Sequence, residues 1–138
     1  MNNLSQLLQQ IEDKQQLINR NRPLDQQQVQ SLKEYFKIGL TYTSNALEGN
    51  TLTESETKVV IEDGVTIGGK PLRDHLEAIG HARAFDFMWE LAKRQEVAEA
   101  DILKLHTLCF QPSEGEVAGR YRTVNVIITG SQYNDRLS

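Results

Sequence analysis

Leu4, Leu7, Leu8, Ile11 and Ile18 recur at steps of three and four among glutamines, acids and lysine, which predicts an amphipathic helix from Leu4 to about Asn19. Pro23 stops it. Asp25 and Gln28 have the spacing of an N-cap and its capping-box partner, so a second helix is expected from about Gln26 to Glu48. Its apolar stripe reads Val29, Leu32, Phe36, Leu40, Thr43 and Leu47, and Gly49 supplies the left-handed residue that ends many helices.

Thr53 and Glu56 repeat the capping-box spacing, and a short helix carrying Val59, Val60 and Ile61 follows as far as Asp63-Gly64. Val65 to Gly69 reads as a loop or short extended piece, and Pro71 stands where a helix's first turn accepts proline. A long helix is then predicted over about Leu72 to Lys93. Leu76, Ile79, Ala82, Phe85, Trp89 and Ala92 are expected to face inward, with His75, Glu77, Arg83 and Glu90 largely outward. A further helix over about Ala98 to Cys109 carries Ile102, Leu105 and Leu108. Gln111 to Ala118 reads as loop. Val124, Val126 and Ile128 then alternate with Asn125, Ile127 and Thr129 as a strand, and Gly130-Ser131 is a turn signal with Tyr133 to Leu137 left for a returning strand. The expected class is mainly α, in one structural unit.

Composition narrows what such a unit can do. A length of 138 residues suits one domain, and 38% hydrophobic with 25% charged content suits a soluble globular chain. No apolar run approaches the roughly 20 residues of a membrane-spanning helix, and the N-terminus lacks the basic start and apolar core of a secretory signal. No membrane role is expected. The single cysteine, Cys109, excludes an internal disulfide and a cysteine-rich zinc site, which suits the cytoplasm. A formal charge of -4 and a pI near 5.4 argue against a nucleic-acid partner, since phosphate neutralisation needs concentrated Lys and Arg. His75 and His81 do not share a helical face, so no metal site is assigned.

Glu48 stands out because the macrodipole disfavours a carboxylate at a helix C-terminus, and Ser44 lies one turn earlier on the same face. On spacing alone, a solvated Glu48 and a Ser44 hydroxyl bonded back to its own helix account for both. Gly119-Arg120-Tyr121-Arg122 sets two guanidinium groups around an aromatic at the mouth of a loop, where Arg120 and Arg122 could hold phosphate or carboxylate. The alternative there is a solvated turn with Tyr121 as hydrophobic anchor. Phe85 and Trp89 read as core packing rather than a stacking platform. The Gly-x-Ser-x-Gly elbow, the Walker loop and the Rossmann fingerprint are absent.

Ser44-Asn45-Ala46-Leu47-Glu48-Gly49-Asn50 resembles the inhibitory motif of Fic-family proteins: Ser or Thr, three variable residues, Glu, then Gly or Asn. Thr51-Leu52-Thr53 and Glu56 continue in that family's manner. Glu77-Ala78-Ile79-Gly80-His81-Ala82 is similar to the start of the helix that opens the Fic core, and Ala118-Gly119-Arg120-Tyr121-Arg122-Thr123 to the segment entering its β-hairpin flap. The resemblance runs in the family's order from about Tyr42 to Ser131.

It implies a Fic-like helical bundle with a flap of which the first strand alone is clear, divided as N-terminal helices over 1–64 and the N-terminal part of the Fic core over 65–138. It further implies AMP transfer from ATP, with Mg2+, to protein Ser, Thr or Tyr hydroxyls. Glu48 would be the inhibitory residue, Ser44 its support, and Val126, Ile127, Ile128 and Thr129 the flap beside nucleotide and target protein; a homo-oligomer stays open. The family's catalytic signature, His-x-Phe-x-Asp/Glu-Gly-Asn-Gly-Arg, is not found in these 138 residues. His106 is followed by Thr107, Leu108, Cys109 and Phe110 and cannot stand in for its base. The chain thus resembles the N-terminal, regulatory part of such a protein. The competing reading is a non-catalytic helical module that binds a partner through the inhibitory helix or an exposed strand.

Overall fold

The computed structural model describes residues 3–124, together with the backbone of 126–127 and 134–135. The chain divides into two compact units, Met1–Tyr35 and Phe36–Ser138. Five helices lie among the described residues: α1 (Asn3–Arg20), α2 (Gln26–Leu47), α3 (Glu54–Asp63), α4 (Leu72–Leu91) and α5 (Glu99–Glu114).

Local chemistry explains most boundaries. Asp25 and Gln28 cap α2 reciprocally: the Gln28 N–H donates to Asp25 Oδ1 at 2.7 Å and the Asp25 N–H to Gln28 Oε1 at 3.0 Å. Thr53 and Glu56 do the same for α3, and these bonds hold the Glu56 carboxyl below its ordinary pKa. Gly64, at φ +65°, closes α3 in the left-handed region. Asp101 accepts the Ala98 N–H at 3.0 Å and so caps α5.

The buried faces depart from the predicted ones. No residue of α1 is buried, so its periodic apolar face forms without being covered by the described residues. On α2 the buried residues are Ile38 and Thr41, whereas Phe36, Leu40 and Leu47 of the expected stripe are exposed. Polar contacts to α4 select that face: Thr41 Oγ1 lies 2.9 Å from His81 Nδ1, and Lys37 Nζ lies 3.5 Å from Asp86 Oδ2. On α4, His75 was expected outward and is only 4% exposed. Its ring can be buried because both nitrogens are satisfied: Nε2 accepts the Ile67 N–H and Nδ1 donates to the Pro71 carbonyl, each at 2.8 Å. Ala92 was expected inward and is an exposed C-cap. Leu52, Val60 and Ala78 form an apolar cluster between α3 and α4, and Phe85 stacks on half-buried Trp89 with centroids 6.1 Å apart.

The fifth helix overruns the predicted loop at Gln111 and ends at Glu114 with Pro112 inside it. Packing overrides composition there. Gly80 has no Cβ, and the Cys109 carbonyl occupies the space a Cβ would take, with the Leu108 carbonyl 3.2 Å from it. This close approach holds the end of α5 against α4 in helical form. Val126–Ile127 pairs antiparallel with Asn134–Asp135, Val126 opposite Asp135 and Ile127 opposite Asn134, so the expected strand has a return partner.

Gly80→Ala should therefore destabilise the fold although alanine is the better helix former by about 1 kcal/mol. Backbone cannot yield as a side chain can, and overpacking costs about 1–3 kcal/mol. Thermal melting should show a clear fall; an unchanged or raised midpoint would mean α5 does not approach α4 at this point.

Candidate functional site

The last turn of α2 and the segment after it place the two residues singled out by spacing. The Asn45 carbonyl accepts the Glu48 N–H at 3.1 Å and the Asn50 N–H at 3.0 Å, and Gly49 sits at φ +91°, which favours glycine. The chain then crosses to α4. Thr51 donates its N–H and its hydroxyl to Asp74 Oδ2, and the Asn50 amide donates to the Asp74 carbonyl and to Glu77 Oε2. Lys70 Nζ donates to the Thr51 carbonyl and lies 3.4 Å from Glu56.

Ser44 and Glu48 line one cavity, of about 370 Å³, with Arg73, Glu77 and His81 of α4 and Cys109 and Glu114 of α5. Arg73 is its cation. Its Nε donates to Glu77 Oε1 at 2.6 Å and its guanidinium lies 3.6 Å from Glu114, and the bond to Glu77 raises its pKa. Glu48 is exposed, and among the described residues the cavity lining holds the carboxylates of Glu48, Glu77 and Glu114 and the one guanidinium of Arg73, which pairs with Glu77 and Glu114. The lining has an acidic excess. Burial, and then the charge of Glu77, pushes the Cys109 thiol up, while burial pushes His81 down. Asn45 Nδ2 is buried at the same wall without a hydrogen-bond partner among the described residues.

A second cavity, of about 980 Å³, is lined by Arg120, Arg122, His106 and Phe110, with Glu114 and Glu116 beside them. Gly119 stands at φ +70°; a Cβ there would overlap the Thr107 hydroxyl, and its N–H donates to His106 Nδ1 at 2.9 Å. His106 therefore fixes the approach to the flap. Tyr121 is 65% exposed rather than a hydrophobic anchor. Its hydroxyl bonds to Glu99, which raises the phenol pKa, so a polar contact ties this segment to the start of α5. Val126 and Ile127 lie in the first short strand, while Ile128 and Thr129 lie outside the described residues. The structure thus brings Ser44 and Glu48 to one cavity and Arg120 and Arg122 to another.

Sequence reasoning missed Thr41, Asp74 and His81, which hold α2 and its following turn to α4. Their partners stand 40 positions apart for Thr41 and His81 and 23 for Thr51 and Asp74. No local pattern announces such pairs.

The helical arrangement around this cavity is one shared with solved structures of Fic-class proteins. No family profile matches the chain. It is 36% identical over 90 residues to the protein adenylyltransferase fic-1 of Caenorhabditis elegans, a match covering 63% of this chain and 18% of that protein. With the protein adenylyltransferase Fic of Nematostella vectensis the identity is 31% over 90 residues, covering 64% and 21%. The chain thus spans about a fifth of the length of these curated relatives. A solved structure of C. elegans Fic-1 superposes with a TM-score of 0.70 at 28% identity, covering 86% of this chain and 38% of that one. A glutamate-to-glycine variant of the same protein gives 0.67 at 27% identity, covering 87% and 39%. This chain is a relative of the Fic protein adenylyltransferases, sharing their fold over the part it spans.

His81 gives the site a pH signature. Burial holds its pKa below 6.5, so the unfolded chain takes up a proton first as the pH falls. Stability should be full above about pH 6.5, decline below it, and level off beneath the folded-state pKa. His81→Gln should remove that component. Melting curves of both proteins from pH 8 to 5 make the comparison, and parallel profiles would refute it.

Proposed function

We propose that this chain is the regulatory and target-binding portion of a protein adenylyltransferase, with Glu48 as its brake and Ser44 as the neighbouring support. The observation that carries the reading is the cavity shared by Ser44, Glu48, Arg73 and Glu77, whose acidic excess favours an incoming guanidinium. An arginine of a Fic catalytic motif held there by Glu48 is withdrawn from the γ-phosphate of ATP. Losing one cation that clamps phosphate removes transition-state stabilisation worth orders of magnitude in rate.

The flap residues Val126, Ile127, Ile128 and Thr129 take an extended target segment by strand addition, in which backbone bonds supply affinity and side-chain pockets supply selectivity. Arg120 and Arg122 are the anion contacts of this reading. Glu114 and Glu116 face the same space, so these arginines favour a phosphate only when it brings enough charge to compete. For Mg2+ the donor set does not fit: among the described residues no three His, Cys, Asp or Glu side chains converge. No step is assigned to it here. Among the described residues no helix is long and apolar enough to cross a membrane.

The chain by itself should transfer no AMP, because among the described residues none is placed as a base beside a triphosphate cradle. Label from α-labelled ATP appearing on the purified 138-residue chain would overturn that statement.

Glu48→Gly tests the brake in the complete Fic protein that carries this segment. Removing the carboxylate relieves a dipole contact of about 0.3–1 kcal/mol, and glycine at a helix that is already ending costs about 1 kcal/mol or less. Melting should barely move while adenylylation rises by about tenfold or more. An unchanged rate beside a large fall in melting temperature would make Glu48 structural.

A further inference from the structure

The segment after Glu48 is held by a carboxylate that its own helix leaves unused. Asp74 is the third residue of α4 counted from the N-cap, Pro71. A carboxylate at that position ordinarily reaches back to the N–H of the N-cap, and proline has none. Asp74 Oδ2 instead accepts the Thr51 N–H at 2.7 Å and the Thr51 hydroxyl at 2.6 Å. With 7% of its surface exposed, Asp74 makes these charge-assisted bonds where water competes little. The positive end of the α4 dipole favours the same charge. Asn50 reinforces the dock: its amide donates to the Asp74 carbonyl and to Glu77 Oε2, and its Oδ1 accepts the Leu52 N–H, all at 3.0 Å.

Gly49 and Asn50 are all that separates Glu48 from Thr51. The bonds to the Asn45 and Ala46 carbonyls close the turn on α2 itself, and the dock on α4 ties that turn to the cavity wall. We propose that Asp74 is the positioning residue for Glu48, holding the end of α2 through Thr51 so that the Glu48 carboxylate stays at the cavity. The proposal rests on the inhibitory reading of Glu48 and adds where that inhibition is set. Weakening the dock frees the brake without touching Glu48. Thr51 is exposed, so removing its hydroxyl leaves the Leu52, Val60 and Ala78 cluster in place.

The test uses the complete Fic protein that carries this segment, as wild type, Thr51→Val, Thr51→Ser, Asp74→Asn and Glu48→Gly. Hydrogen exchange over residues 48–52 and the initial rate of adenylylation are read together. Losing one hydrogen bond to a buried carboxylate should speed local exchange by about tenfold. Thr51→Val and Asp74→Asn should show that increase and a severalfold faster transfer, with exchange over α5 unchanged. Thr51→Ser, which keeps the hydroxyl, should match wild type in both. Wild-type exchange or wild-type transfer in Thr51→Val and Asp74→Asn, beside an activated Glu48→Gly, would overturn the positioning role and leave the inhibitory reading standing. A Glu48→Gly protein that transfers no faster than wild type would instead remove the inhibitory reading, and the proposal with it.

Discussion

At Gly80 the backbone of α5 comes so close to α4 that the Cys109 carbonyl takes the place of a side chain. Helix α5 can reach Glu114 through Pro112 because it is pressed against a neighbour with nothing projecting from it. That contact fixes both walls of the candidate site: Cys109 and Glu114 face the cavity containing Glu48, and His106 receives the Gly119 N–H at the approach to the flap. A shift of α5 would move both at once.

Helix α2 is seated by a different kind of force. Its most buried residues in contact with α4 include Thr41, fully buried, whose hydroxyl meets His81. Apolar burial is roughly proportional to area and has no preferred direction. A hydrogen bond between two half-buried helices has both distance and angle requirements, so it specifies a rotation of α2 about its axis that an apolar stripe would leave loose. Ser44 follows Thr41 by three residues and Glu48 by seven, so that rotation also determines which way the two point.

What could be read in the sequence divides along the same line. Both predicted capping boxes, at Asp25 and Thr53, form with their expected partners, because a cap is decided by residues three apart. The Fic-like character of the fold was legible from short motifs. The buried face of α2 was not: Phe36, Leu40 and Leu47 form a regular apolar pattern, but periodicity records only that a face exists, not what covers it. The outward assignment of His75 failed for a related reason, since its two partners, Ile67 and Pro71, are backbone groups that no residue type reveals. The end of α5 was misread because Pro, Ser, Glu and Gly describe a loop only when nothing outside the segment holds it. Ser44 and Glu48 were singled out by a short contiguous motif, whereas Asp74, which holds the turn beyond them, belongs to a helix 23 residues downstream of its partner.

Pro112 has a consequence that reaches across the seam. Proline lacks the N–H that would donate to the carbonyl four residues earlier, which is Leu108, and that carbonyl is one of the two lying against Gly80. The interruption in one helix and the bare position in the other therefore occupy the same place in space. Substitutions at 80 and 112 form a coupled pair whose effects will not sum. A side chain added at 80 and an N–H restored at 112 would act on the same Leu108 carbonyl, although 32 positions separate the two residues in the chain.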